Sequence, residues 1–126
     1  MYSKTDILNM FKTKEWLENK CYEIFNYAIK HYKVVLEDSF GEEGVELIDG
    51  DSIIISDSIT CRGESQYYTL PPIPISVILN DTWKSYIDYV CGVRIEKKEE
   101  EIRKLREQNE RAEFEYYQKL KEKFEK

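Results

Sequence analysis

The sequence predicts an α+β fold, and three observations lead there. The hydrophobic repeat is helical over the first third, turns strand-like in the middle, and is helical again to the end. Four of the five glycines and the one Asp-Gly pair fall in the middle stretch, where turns are needed. Beyond Gly92 the composition is almost entirely Glu, Lys and Arg, with apolar residues only at wide intervals. With 126 residues the chain has room for one domain. The expected layout is a globular part over 1–92, with helices within 5–32 and a small three-stranded antiparallel sheet within 45–70. A charged helical extension over 93–126 then continues a helix that starts near residue 82.

The first third has a capping side chain at Ser3 or Thr5, then apolar residues at Ile7, Leu8 and Phe11. Trp16, Leu17, Cys21, Ile24, Phe25, Ala28 and Tyr32 follow three to four apart, which is one face of a helix. Thr13 is placed to split this into a short helix and a longer one. Lys14, Glu18, Asn19, Asn26 and Lys30 occupy the opposite face. Such an amphipathic helix needs a partner surface.

In the middle, Val45 to Ile48 and Ser52 to Ser58 read as strands joined at Asp49-Gly50. Asp-Gly suits a type I′ turn because both turn positions take positive φ. A second turn near Arg62-Gly63-Glu64 returns the chain as a strand over Ser65 to Leu70. Pro71-Pro72-Ile73-Pro74 is expected to end pairing, since proline has no N–H for a ladder.

Asn80-Asp81-Thr82 offers caps ahead of Trp83, Tyr86, Ile87, Val90 and Cys91, another one-sided stripe. If Gly92 is tolerated, one helix runs from about residue 82 to the end, on the order of 60 Å at ~1.5 Å per residue, and projects beyond a domain this small. Ile95, Ile102, Asn109 and Tyr116 share one heptad position; Cys91, Lys98, Leu105 and Ala112 share another. The seam is imperfect at Lys98, while Asn109 resembles the buried Asn that sets register in coiled coils. Ile95, Ile102, Leu105, Asn109, Ala112 and Tyr116 are therefore the candidate oligomerisation residues of a homodimer. A solvated single helix held by Glu–Lys pairs such as Glu100–Lys104 is the alternative.

Composition excludes several function classes. Twenty-five acids against 19 bases give a net charge of −6, the wrong sign for a general nucleic-acid binder. No apolar run approaches the roughly 18–20 residues of a membrane span, and the start lacks the pattern of a signal peptide. Three cysteines, Cys21, Cys61 and Cys91, with no CxxC pair and one histidine suit neither a disulfide framework nor a zinc site. They are expected as reduced thiols in apolar surroundings, in the cytoplasm. His31, near the end of a predicted helix, is placed to complement the helix dipole. No nucleophile elbow, phosphate loop, dinucleotide fingerprint, HExxH or EF-hand loop occurs. The expectation is no enzyme, no cofactor and no metal.

Charge distribution is more informative than any motif. From Val34 to Cys61 there are eight acids and no Lys or Arg, whereas residues 97–126 carry ten bases and nine acids. Glu42, Glu43, Glu46, Asp49, Asp51 and Asp57 are thus the candidate partner-binding residues of an acidic face, which would meet a basic surface. Charged strand edges that prevent edge-to-edge pairing produce the same pattern. Ten tyrosines are the second anomaly. Tyr22, Tyr32, Tyr86 and Tyr89 are expected in or beside the core. Tyr67 and Tyr68 are strand neighbours, so one must face away from it. With Arg62 and Gly63 they form a candidate nucleotide site or protein interface, by stacking and phosphate contact or as Tyr/Arg anchors.

The Asp49-Gly50-Asp51 turn, a strand ending in Cys61-Arg62-Gly63, Tyr68-Thr69-Leu70-Pro71, Asn80-Asp81-x-Trp83 and the Glu/Lys/Arg tail together resemble small uncharacterised proteins carried by bacteriophages and prophages. The resemblance spans roughly residues 45 to 126. It implies a non-enzymatic accessory protein in the host-cell cytoplasm that inhibits a host defence complex by binding, in the manner of anti-CRISPR proteins. A sponge that sequesters a signalling nucleotide is a further implication of it. The expected partner is a host protein or nucleoprotein with a basic surface. A structural or assembly component oligomerising through the C-terminal helix is the third reading, taken from the helix itself.

Overall fold

The computed structural model describes residues 1–124, which divide into two compact units, Met1–Cys91 and a second that begins at Gly92. The fold is α+β, with a long N-terminal helix, an antiparallel sheet and a long C-terminal helix. The last two residues of the expected extension lie outside the described residues.

The N-terminal part is one helix, α1 (Lys4–Tyr32), rather than two. Ser3 caps it: the Asp6 amide donates to the Ser3 hydroxyl, and the Ser3 amide donates to the Asp6 carboxylate, a reciprocal capping box. Thr13 does not interrupt the helix, because its hydroxyl donates back to the Asn9 carbonyl, a bond helices accommodate. Burial covers only the second half of the predicted stripe. Cys21, Ile24, Phe25 and Ala28 are buried, while Ile7, Leu8, Met10, Phe11 and Trp16 are exposed.

A 3-10 turn (Lys33–Val35) leads into five strands: β1 (Glu37–Asp38), β2 (Gly44–Ile48), β3 (Ser52–Cys61), β4 (Glu64–Thr69) and β5 (Ile73–Pro74). The expected meander β2-β3-β4 is present, with two additional short strands. The sheet order is β1-β4-β3-β2, all antiparallel, and β5 also pairs with β3. At the first hairpin Asp49 and Gly50 have φ of 53° and 75°, the positive pair a type I′ turn requires. Arg62 and Gly63, at 54° and 80°, do the same in the two-residue turn between Cys61 and Glu64.

Contrary to expectation, pairing does not end at the prolines. Leu70 donates its amide to Ile55, and Ile73 and Pro74 pair with Ile53 and Ser52. The missing N–H of Pro74 costs nothing at the last residue of a short edge strand. A short helix α2 (Ile75–Leu79), which no sequence pattern announced, leads to α3 (Trp83–Phe124). Gly92 lies inside α3 and the helix continues through it.

The core of the first unit lies on one face of the sheet. Ile53 and Ile55 of β3, with Leu70, Ile73 and Ile78, pack with Phe25 and Ile24 of α1 and with Trp83, Ile87 and Cys91 of α3. β3 shows how this arises: Ile53 and Ile55 point inward, while Ser52, Ile54, Ser56 and Ser58 alternate outward and are half-buried. An antiparallel sheet with one packed face and one solvated face has this reading.

Candidate functional site

Three acidic residues, Glu42, Glu43 and Glu46, gather at the outer face of the sheet beside its edge strand β2. Strand alternation puts Gly44, Glu46 and Ile48 of β2 opposite Ser56, Ile54 and Ser52 of β3, all outward. Val45 and Leu47 take the inner side, against Ile55 and Ile53. Glu43 is drawn over the outer face because it accepts a 2.6 Å hydrogen bond from the Ser58 hydroxyl. Glu42, Glu43, Glu46, Ile54 and Ser56 line a shallow recess of about 150 Å³ there, with Gly44 and Val45 completing its wall. Across the sheet, Glu37 of β1 is opposite Thr69, whose hydroxyl lies 3.0 Å from that of Ser56 on the same face. Between Lys33 and Lys84 the sequence holds a single basic residue, Arg62.

The approach to β2 is a tight turn. Phe40 and Gly41 have φ of 53° and 87°, and the Glu42 amide donates to the Ser39 carbonyl. Ser39 is buried, and its hydroxyl donates to the Glu42 carbonyl at 2.8 Å; the Phe40 amide donates to Asp38 at 2.7 Å. This pins a phenylalanine in the left-handed region with 90% of its surface exposed, directly beside Glu42 and Glu43. A bulky residue there costs about 1–2 kcal/mol. Periodicity could not reveal it; Phe before Gly41, outside any repeat, was the only signal.

The six predicted acidic residues do not form one face. Glu42, Glu43 and Glu46 come together. Asp49 and Asp51 sit in the turn at the far end of β2, where the Asp51 amide closes the turn onto the Ile48 carbonyl. Asp57 takes the inward side of β3, in a separate recess of about 230 Å³ with Glu18, Cys21 and Tyr22 of α1. Burial, followed by the charge of Glu18, pushes the Cys21 thiol up, which leaves little thiolate at neutral pH. Cys91 is buried as well, but Cys61 is exposed at the end of β3, not in apolar surroundings.

Arg62, Gly63, Tyr67 and Tyr68 are not assembled into a site. Tyr67 pairs with Ser58 and so faces outward, while Tyr68 pairs with Asp57 and faces inward. The Tyr68 ring lies under Lys33 at 5.9 Å and its hydroxyl donates to Gln66. Arg62 is four residues beyond Ser58, which is about 13 Å along the strand from Tyr67. Tyr32 and Tyr86 are half-buried as expected, but Tyr22 and Tyr89 are exposed.

A cluster that sequence reasoning missed joins α1 to the start of α3. Asp88 accepts hydrogen bonds from the hydroxyls of Tyr27 and Tyr32, each at 2.6 Å. Those two bonds, with a smaller contribution from His31, hold the Asp88 carboxyl below its usual range. The same bond to Asp88, then desolvation, pushes the Tyr32 phenol up to about 12. Tyr27 packs edge-on to Trp83 at 5.5 Å and tilted against His31 at 4.5 Å. The cluster fastens two helices and presents no free nucleophile. Among the described residues, no group of three or more His, Cys, Asp or Glu is placed to hold a metal ion. Nor is any helix long and apolar enough to cross a membrane.

In the second unit, Ile102, Leu105 and Tyr116 are 42%, 58% and 66% exposed. Asn109 and Ala112 are also exposed, and Ile95 is half-buried. Glu100 and Lys104 form an intrahelical ion pair at 3.5 Å, the kind named for the alternative of a solvated single helix. No family model, curated protein or solved structure matches the chain.

Proposed function

We propose that this is a non-enzymatic interaction protein that docks the acidic edge of its sheet onto a basic surface of a nucleic-acid-processing complex. The observation that carries the reading is the convergence of Glu42, Glu43 and Glu46 on one recess, with an exposed Phe40 beside them. Carboxylates on an open sheet face steer toward a basic partner and set orientation. An aromatic side chain at a fixed turn supplies the desolvated anchor that charges alone do not. Phenylalanine at positive φ carries a conformational cost that contact of its exposed ring with a partner would offset. The resemblance to small phage proteins supplies a setting, inhibition of a host defence complex of the CRISPR type.

The test is binding to purified CRISPR effector complexes and host nucleases, measured by biolayer interferometry at low and moderate salt. Binding is expected to weaken with salt and to fall at least tenfold in a Glu42→Lys/Glu46→Lys variant. Phe40→Gly is expected to weaken binding while raising the melting temperature, because it removes the ring and relieves the positive φ. Binding that persists through both changes removes this face from the account.

A further inference from the structure

We propose that residues 95–112 of α3 pair antiparallel with the same segment of a second copy of the chain, about a two-fold axis between Ile102 and Leu105. This goes beyond the proposed function and does not depend on it. The seam reads Ile95, Lys98, Ile102, Leu105, Asn109, Ala112 at heptad spacing, and on this helix Ile102 and Leu105 are solvent-exposed. Its pattern is apolar, polar, apolar, apolar, polar, apolar, which is unchanged when reversed. In the antiparallel register each Ile102 meets Leu105 of the second copy, and each Ile95 meets Ala112, a large residue against a small one. Both polar interruptions then meet each other, Lys98 against Asn109. A parallel, in-register pair would instead stack Lys98 on Lys98, a like-charge layer inside the seam.

The flanking charges agree with this register. Positions beside the seam bring Glu99 of one copy against Arg106 of the other, and Arg94 against Glu115, each pair occurring twice by symmetry. Shifting the antiparallel register by one heptad, so that Leu105 meets Asn109, sets Arg106 against Arg106 and Glu101 against Glu115. A parallel pair also matches charges, Arg94 with Glu99 and Glu101 with Arg106, so the flanks alone do not separate the two orientations. The polar positions inside the seam do.

The experiment uses the full chain with the exposed Cys61 replaced by Ser, and compares Lys98→Cys, Asn109→Cys and an equimolar mixture of the two under mild oxidation. The antiparallel register places residue 98 against residue 109 of the second copy, within disulfide reach. The expected result is a covalent dimer in the mixture and none with either variant alone. Cross-linking of each variant by itself signals a parallel pair and overturns the proposal, as does the absence of any cross-link. As an independent readout, Arg106→Glu is expected to weaken dimerisation roughly tenfold in sedimentation, with recovery on adding Glu99→Arg. Recovery with Glu101→Arg in its place also overturns it.

Discussion

The first nine residues of α3 and the stretch from Ile95 to Tyr116 carry the same kind of one-sided stripe, yet the two meet different fates. Trp83, Ile87 and Cys91 are buried against α1 and the sheet, where each has 1% or less of its surface exposed. Ile102, Leu105 and Tyr116, at heptad positions of the second stripe, remain in solvent. The difference lies in what surrounds the stripes. The first has Tyr86 packed beside it and the hydrogen bonds of Tyr27 and Tyr32 to Asp88 to fix its angle. The second is flanked by Glu, Lys and Arg, which match another charged helix better than a sheet. Periodicity marks an apolar stripe; in the pairing proposed above, the flanking charges are what match it to a second helix.

The largest effect sharpening this contrast is expected in the first stripe and its partner helix. Phe25→Ala should cost about 3–5 kcal/mol, since Phe25 is fully buried between α1 and β3. Leu105→Ala should leave the chemical denaturation midpoint of dilute protein nearly unchanged. Comparable losses at the two positions would break the comparison.

Removing the fastening between α1 and α3 should come next in size. Asp88→Ala should lower stability by about 1 kcal/mol, given how exposed the cluster is. Its pH dependence carries a sign. The Asp88 carboxyl lies below its usual value in the folded protein, so its contribution is present above the ordinary value of 3.8 and is lost as pH falls through the lower folded value. The Tyr32 phenol is raised from 10.0 to about 12, so its contribution is present below pH 10.0 and lost as pH rises through about 12. Thermal melts across pH should therefore fall off less steeply at both ends in Asp88→Ala than in the parent.

The smallest effect is at the boundary between the units. A Cβ at Gly92 would meet nothing within 4 Å, so Gly92→Ala should stabilise α3 by about 0.5–1 kcal/mol. Circular dichroism melts would show it, and a loss of stability would mean that the glycine is needed there.

Much of the fold was legible because its signals are local. Asp49-Gly50 and Arg62-Gly63 each place two residues at positive φ where the hairpins turn, and β3 alternates as its sequence does. What escaped depends on contacts distant in sequence. The moment of α1 says that one face is apolar, but only the sheet's extent decides that Cys21 to Ala28 are covered and Ile7 to Trp16 are not. Pairing of Ile73 with Ile53 is a tertiary event that the proline rule does not foresee. Among site residues, spacing puts Glu42 and Glu46 on one side of the edge, but Glu43 joins them only through the hydroxyl of Ser58, fifteen residues away. The inward turn of Asp57 follows from strand alternation once the Ile53 and Ile55 face is known. Asp88 gave no sign, because its two tyrosine partners lie 56 and 61 residues away.

The most direct test of the contrast between the stripes is amide hydrogen exchange of the intact chain across a dilution series. Protection over Trp83–Cys91 should be independent of concentration, since its partners are in the same chain. In the antiparallel pairing proposed above, protection over 95–112 should rise with concentration as the second copy covers it. Protection that is identical at every dilution along the whole of α3 would contradict the account.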